Sequence, residues 1–319
     1  MKKKISICIP IYNQIKYVSE LVESIKYNNN KKIDFIICDN KSTDGTYEFL
    51  LKNKKYFRLY RNNKNKGFIK NFIKTINKSY SEYITFMGGD DIFHSAKNLL
   101  NVCDEMKRNN ISICFTPIYL FSRNIENKDL YFSNKKRIFL NYKNSLIHNW
   151  LNSGLASIGG WVIKTKDLKK VDFNKIPKKS VFPEFHIGFD LFNNQKKISA
   201  LFPKSFYIQR NDNNLKQLAN AQYKSFKNYI EIYSIFKNIT DKKILEKIEY
   251  QFIDVLVKNA PSIKAFSGDF SLFKQFIKKN NLNKKMTIFQ LILIKIVDFL
   301  PFKIIKHLIL QRRKLKYKT

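Results

Sequence analysis

The sequence is poor in the residues that metal clusters and disulfide frameworks need. Its 319 residues include four cysteines and four histidines. Cys8, Cys38, Cys103 and Cys114 form no C-x-x-C pair, and Cys8 and Cys38 lie inside apolar, strand-like runs. This spacing excludes a zinc site and a disulfide scaffold, and predicts reduced core thiols in a cytoplasmic protein. Carboxylates are also scarce, 25 against 60 Lys and Arg, for a formal charge of +35. No long apolar run survives inspection. The N-terminal Ile5–Pro10 stretch is too short for a signal peptide and contains a proline. Near the other end, residues 286–300 are broken by Lys295 and Asp298 and stopped by Pro301. That is too interrupted for a confident membrane span. What remains is 44% hydrophobic and 15% aromatic, enough for a real core, in a length that suits two domains. The basic excess favours a polyanion, whether nucleic acid, anionic lipid or a phosphate-bearing substrate.

The chain is organised around Phe86-Met87-Gly88-Gly89-Asp90-Asp91-Ile92-Phe93. An apolar strand runs into two glycines and then two adjacent carboxylates. The glycines permit a tight exit and close approach of a ligand to the backbone. Neighbouring carboxylates repel unless a cation lies beside them. A hard divalent ion that also carries substrate phosphates suits such a pair. The plainer alternative is a solvated loop in which Asp91 caps the next helix.

Upstream, β-branched runs at 5–11 and 33–38 predict strands buried on both faces of a parallel sheet. A third strand is expected at 57–60. Helical spacing appears at 17–27, 46–53 and 68–79. Strands alternating with helices imply a doubly wound α/β sheet. The loops at Tyr12-Asn13, Asp39-Asn40 and Asp90-Asp91 all follow strands, so they share one sheet edge and can meet around one ligand.

Four motifs stand in order: Pro10-Ile11-Tyr12-Asn13, then Asp39-Asn40-Lys41-Ser42-Thr43-Asp44-Gly45-Thr46, then N-K-N-K-G-F-x-x-N from Asn63 to Asn71, then Gly88-Gly89-Asp90-Asp91. Together they resemble the inverting family 2 glycosyltransferases of GT-A fold. The resemblance is strong over 1–120, moderate over 121–212 and weak beyond. It implies a Rossmann-like, mostly parallel sheet flanked by helices that binds a nucleotide-diphosphate sugar. Tyr12 and Asp39 would lie against base and ribose, with Pro10 shaping the wall and Asn71 on the donor side. Asn40 stands where some members carry a second aspartate that holds uracil. An amide still donates and accepts, so uridine stays open. Asp90 would face ribose or metal, and Asp91 would be the principal ligand of Mn²⁺ or Mg²⁺. Ser42, Asp44 and Gly45 read as turn and cap residues.

The second half is less explicit. Residues 111–121 read as one strand. Gly159-Gly160-Trp161 enters another, which the resemblance places beside sugar and acceptor; Trp161 is either a stacking ring or a core tryptophan. A helix over 184–194 carries the expected catalytic base. Inverting transfer needs one group to take the acceptor proton. Glu184 is the first choice, with Asp190 and His186 as alternatives. Arg210, after a strand at 198–202, resembles the cation of a mobile segment closing on the donor diphosphate; the alternative is an ordinary surface arginine. From 214 onward the spacing is helical, with one apolar face through Tyr223, Phe226, Tyr229, Ile230, Tyr233 and Phe236. Another runs through Ile244, Ile248, Phe252, Val255 and Leu256.

These observations predict a catalytic domain over 1–212 and a helical, basic region over 213–319. The expected reaction moves a sugar to a hydroxyl of a glycan or lipid-linked glycan in surface polysaccharide such as lipopolysaccharide or capsule. The tail would touch the inner face of the cell membrane peripherally. A nucleotidyltransferase acting on sugar phosphates is the first rival, but it should carry a glycine-rich basic loop after the first strand. The second, a nucleic-acid-binding protein, has only the charge in its favour.

Overall fold

The computed structural model describes residues 3–121, 128–132, 137–151, 158–178, 180, 183–210, 226–267 and 270–316. It divides into two compact units, 1–212 and 213–319.

The first unit begins with β1 (Ile5–Ile11), α1 (Val18–Tyr27), β2 (Ile33–Asp39), α2 (Thr46–Lys52), β3 (Arg58–Arg61), α3 (Phe68–Asn77) and β4 (Tyr83–Phe86). β2 is buried at every position and β1 at all but Pro10. Helices on both faces make these strands mostly apolar; the buried exceptions, Ser6, Asp34 and Asp39, are hydrogen-bonded or ion-paired. α1 turns Val18, Leu21, Val22 and Ile25 inward. Each such side chain contributes roughly 1.5–3 kcal/mol by leaving water.

β5 (Ile92–Phe93), α4 (Ala96–Arg108), β6 (Ile113–Phe115), β7 (Ile118–Phe121), β8 (Lys128–Phe132), β9 (Ile138–Leu140) and α5 (Tyr142–Leu151) follow. Then come β10 (Trp161–Lys164), α6 (Thr165–Leu168), α7 (Pro183–Phe189), β11 (Ser199–Leu201) and β12 (Tyr207–Arg210). The main sheet has the order β3-β2-β1-β4-β10-β6-β11-β9. β1 to β4 are mutually parallel, whereas β10 runs antiparallel to both β4 and β6. A second sheet, β5-β12-β7-β8, stands apart from it.

The run at 111–121 is two strands in different sheets. Pro117 explains the break, since it offers no N–H and restricts Thr116 before it. The expected helix at 184–194 is α-helical only to Phe189 and continues as a π-helical turn over Asp190–Asn194.

The order of the parallel strands positions the site. From β1 the chain winds outward to β2 and β3, then crosses back to place β4 on the other side of β1. The crevice beyond the carboxyl ends of β1 and β4 is therefore a topological switch point, where such sheets bind ligands.

The second unit holds α8 (Phe226–Phe236), α9 (Lys242–Ser262), α10 (Phe270–Lys279), α11 (Ile288–Phe299) and α12 (Phe302–Lys316). Its core is aromatic, with Tyr233 tilted 5.4 Å from Phe252 and Phe226 edge-on to Phe273 at 5.4 Å. Val255, expected on the apolar face of α9, is exposed instead, and Tyr223 lies outside the described residues.

Candidate active site

Two loops at the sheet edge are stitched together. Asn13, at φ 52°, donates its N–H to Ser42 Oγ at 2.9 Å, and its side-chain oxygen accepts from Thr43 N at 2.9 Å. Asp44 accepts from Ile15 N at 3.0 Å and from the Thr46 hydroxyl and N–H. Ser42, Asp44 and Thr46 are thus structural, holding Tyr12 half-exposed at the rim, beside the partly buried Pro10.

Asp39 closes β2 and is fully buried. Its carboxylate accepts from Lys41 N at 3.1 Å and Ser42 N at 3.2 Å, and pairs with Arg61 at 3.2 Å. The Arg61 guanidinium also lies over the Tyr47 ring at 3.9 Å. Asn40 is committed to a neighbouring loop. Its Oδ1 accepts from Asn62 Nδ2 at 2.8 Å and Lys66 N at 2.9 Å, while its Nδ2 donates to Asn65 at 2.8 Å. Asn71 extends the chain of amides, accepting from Asn62 at 2.9 Å and donating to Cys38 O at 2.7 Å. Asn40 and Asn71 therefore hold the 62–67 loop against the end of β2.

The Gly88–Asp91 turn sits over the end of β1. A Cβ on Gly89 would lie 2.6 Å from Ile11 Cγ1, and one on Gly88 would lie 2.6 Å from Asp90 Oδ1. Only glycine lets the turn approach this closely. Asp91 points inward and is buried. Its Oδ2 accepts from Gly88 N at 2.7 Å and the Tyr207 hydroxyl at 2.8 Å, and its Oδ1 accepts from Arg210 N at 3.0 Å. Burial and then the nearby Asp90 charge push its pKa up to about 7, against the three donors that favour the anion. Asp90 is half-buried, the more exposed of the two carboxylates.

Arg210 is a fixed clasp. Its side chain is 6% exposed and lies over the Tyr17 ring at 4.6 Å and the Phe121 ring at 4.4 Å. Nη2 donates to Glu20 Oε2 at 2.7 Å, and Nε donates to the Asp90 carbonyl at 3.1 Å. A guanidinium so enclosed binds the Gly88–Asp91 turn to α1; it is not posed over open solvent to close on a diphosphate. Tyr207, Tyr17 and Glu20 are supports of this turn that sequence reasoning missed. No local signal marks them, because their partners are remote in the chain.

Gly160 lies at the same edge, its carbonyl accepting from Thr116 N at 2.9 Å and Oγ1 at 3.1 Å. Gly159 faces the Tyr207 ring, where a Cβ would come within 2.6 Å. Trp161 is 1% exposed and packs edge-on against Phe115 at 5.0 Å. It is a core tryptophan; burial removes the free ring face that sugar stacking requires.

On α7, Glu184 is buried and His186 partly so. Asp190 accepts from Asn194 at 2.8 Å and Gln195 at 2.7 Å, which ties it into its own π-helical turn. Among the described residues, no three His, Cys, Asp or Glu side chains converge on a metal position. A protein-only cage is thus lacking there. One carboxylate beside a glycine-lined turn fits a hard cation shared with phosphate oxygens.

A mixed sheet with four parallel strands and a carboxylate turn at their switch point defines an α/β protein of the class that binds ligands at that edge. Residues 6–170 match the family model described as Glycosyl transferase family 2. The chain belongs to that family and is a glycosyltransferase. RfbV of Salmonella typhimurium, an abequosyltransferase, is 27% identical over 278 residues, spanning 81% of each chain. GlyG of Streptococcus pneumoniae, a glycosyltransferase, is 34% identical over 96 residues, 29% of this chain and 32% of its own. The crystal structure of Staphylococcus aureus TarS 1-349 in complex with UDP-GlcNAc superposes with a TM-score of 0.60 at 16% identity, covering 82% of this chain and 81% of that one. At that identity the likeness shows the fold, which is GT-A.

Proposed function

We propose that the 1–212 unit transfers a sugar, with inversion, from a nucleotide-diphosphate sugar to a hydroxyl of a surface-polysaccharide glycan or its lipid-linked precursor. The observation that carries this reading is the Gly88–Asp91 turn at the switch point of a family 2 chain. The UDP-GlcNAc complex of TarS and the abequosyltransferase activity of RfbV support the donor and product classes. Uridine is the first choice of base. A cytoplasmic site at the inner membrane face, where such precursors are built, follows from this reading.

Asp90 takes the principal metal-ligand role in place of Asp91, because burial and three donors already hold Asp91 in the turn. When bound, Mn²⁺ or Mg²⁺ supplies charge neutralisation to the diphosphate leaving group. Tyr12 and Asp39 border the nucleoside, with Pro10 at its wall. Asn40 and Asn71 shape that border through the 62–67 loop. Arg210 holds the turn rigid. Glu184 takes the acceptor proton, with Asp190 and His186 behind it; Asp190 is disfavoured by its bonds to Asn194 and Gln195. Gly160, expected beside the sugar, lets Thr116 and Ile118 pack close at that edge, where a Cβ would come within 3.0 Å of the Thr116 carbonyl.

The test is a binding titration against nucleoside diphosphates and nucleotide sugars, with and without Mn²⁺. The expected result is metal-dependent binding of one nucleotide, lost in Asp90→Ala. Glu184→Gln should bind donor normally and turn over at least about 100-fold more slowly. Binding by a folded Asp90→Ala variant equal to wild type would remove the metal assignment.

A further inference from the structure

In the 213–319 unit, α11 carries its apolar side chains on the wrong side for a packed helix. Val297 and Gln290 are buried and mark its inward face. At about 100° per residue, Ile288, Phe299, Ile292, Ile296 and Phe289 fall within an arc of about 100° on the outer side. All five are exposed, Ile288 at 78%, Phe289 at 72% and Phe299 at 88%. Phe302, Ile304 and Leu308 of α12 are exposed as well.

The stripe is built firmly. A capping box starts α11, Thr287 Oγ1 accepting from Gln290 N and the Gln290 side chain accepting from Thr287 N. At the other end, Lys264 Nζ donates to the carbonyls of Val297 at 2.9 Å and Leu300 at 2.8 Å. Such ends hold the helix in place without burying its outer face.

Charge selects the occupant. Asp298 is the single carboxylate in residues 284–319, and Lys274 neutralises it at 2.9 Å. Around it the sequence places Lys295, Lys303, Lys306, Arg312, Arg313 and Lys314. Lys295, Lys303 and Lys306 are exposed. No helix among the described residues is long and apolar enough to cross a membrane. α11 is only about 18 Å long, against a hydrocarbon core of about 30 Å.

We propose that the outer stripe of α11 inserts into the interface of an anionic lipid bilayer, with the flanking lysines and arginines on its headgroups. An apolar arc bounded by cations lies in the plane of the headgroup boundary, and its binding sums buried apolar area with electrostatic attraction. This surface is independent of the donor site and does not rest on its assignment.

The experiment is flotation of the full chain with phosphatidylcholine vesicles, alone or with added phosphatidylglycerol. The wild type floats with the anionic vesicles, and binding falls about tenfold or more on neutral ones or in high salt. Ile292→Asp with Phe299→Asp abolishes flotation on either, without altering thermal unfolding, since both side chains are exposed. Lys303→Glu with Lys306→Glu loses only the preference for anionic lipid. Failure to float, by a protein that still binds nucleotide, overturns the proposal. So does a dimer in sedimentation that the Ile292→Asp, Phe299→Asp variant converts to monomer, because the stripe's occupant is then a second copy.

Discussion

The Tyr207 hydroxyl donates to Asp91 Oδ2 at 2.8 Å, joining residues 116 positions apart. The pairing of β12 with β5 makes this contact possible by setting Tyr207 opposite Phe93 and Ile208 opposite Ile92. The same register delivers the Arg210 N–H to Asp91 Oδ1. The second sheet therefore acts as a brace for the Gly88–Asp91 turn.

The two carboxylates should separate by phenotype. Asp91→Ala strands the donors of Gly88, Tyr207 and Arg210 and should cost about 3 kcal/mol of stability in denaturant melts. Asp90→Ala should destabilise less than Asp91→Ala, since Asp90 is the less buried of the two, and should remove metal-dependent nucleotide binding.

Tyr207→Phe removes one donor and keeps the ring against Gly159. Its expected cost is about 1.5–3 kcal/mol at pH 8, where Asp91 is ionised, the range for a hydrogen bond to a charged group. In the Asp91→Asn background the same substitution should cost measurably less. Equal costs in a double-mutant cycle would mean the two groups do not act together.

Stability should also report the raised pKa of Asp91. Folded Asp91 holds its proton up to about pH 7, against a usual value of 3.8. Between those values the folded state binds more protons than the unfolded one. This group's contribution therefore falls as pH rises from about 4 to about 7 and is flat above. Denaturant midpoints measured from pH 4 to 8 should show that decline in the wild type, and less of it in Asp91→Asn.

Two adjacent glycines should fail differently. Gly88→Ala drives a methyl into the Asp90 and Asp91 carboxylates, so nucleotide affinity should drop about tenfold or more. Gly89→Ala presses on Ile11 in the core and should destabilise by about 1–3 kcal/mol.

Asn40 offers a test of the amide network. Asn40→Ala loses three hydrogen bonds and should cost about 2–3 kcal/mol. Asn40→Asp keeps the bonds from Asn62 and Lys66 and loses only the donation to Asn65, for about 1 kcal/mol. Circular dichroism melts of both variants would check the order.

Much of this was legible locally. The β-branched runs around Ile5–Ile11 and Ile33–Asp39 and the spacing of Val18, Leu21, Val22 and Ile25 all act within a few positions. Each favours one backbone shape without help from elsewhere. The strand-final loops at Tyr12, Asp39 and Asp90 likewise follow from β/α alternation, because parallel strands put their carboxyl ends on one edge. The short strands β5, β8, β9 and β12 were invisible. Their two to five residues carry no periodicity, and distant partners define them.

The sequence by itself determined the family, the α/β architecture, the sheet edge on which the strand-final loops meet and the scarcity of thiols and carboxylates. Only the tertiary structure decided how each residue of an adjacent pair is held. Asp90 and Asp91 are chemically alike and neighbours in the chain. Their surroundings diverge because Tyr207 and the Arg210 N–H arrive from 116 and 119 residues away to bind Asp91. Trp161 entered the core and Arg210 became a clasp for the same reason. Burial and hydrogen-bond saturation belong to the folded surroundings, and residue type alone does not set them.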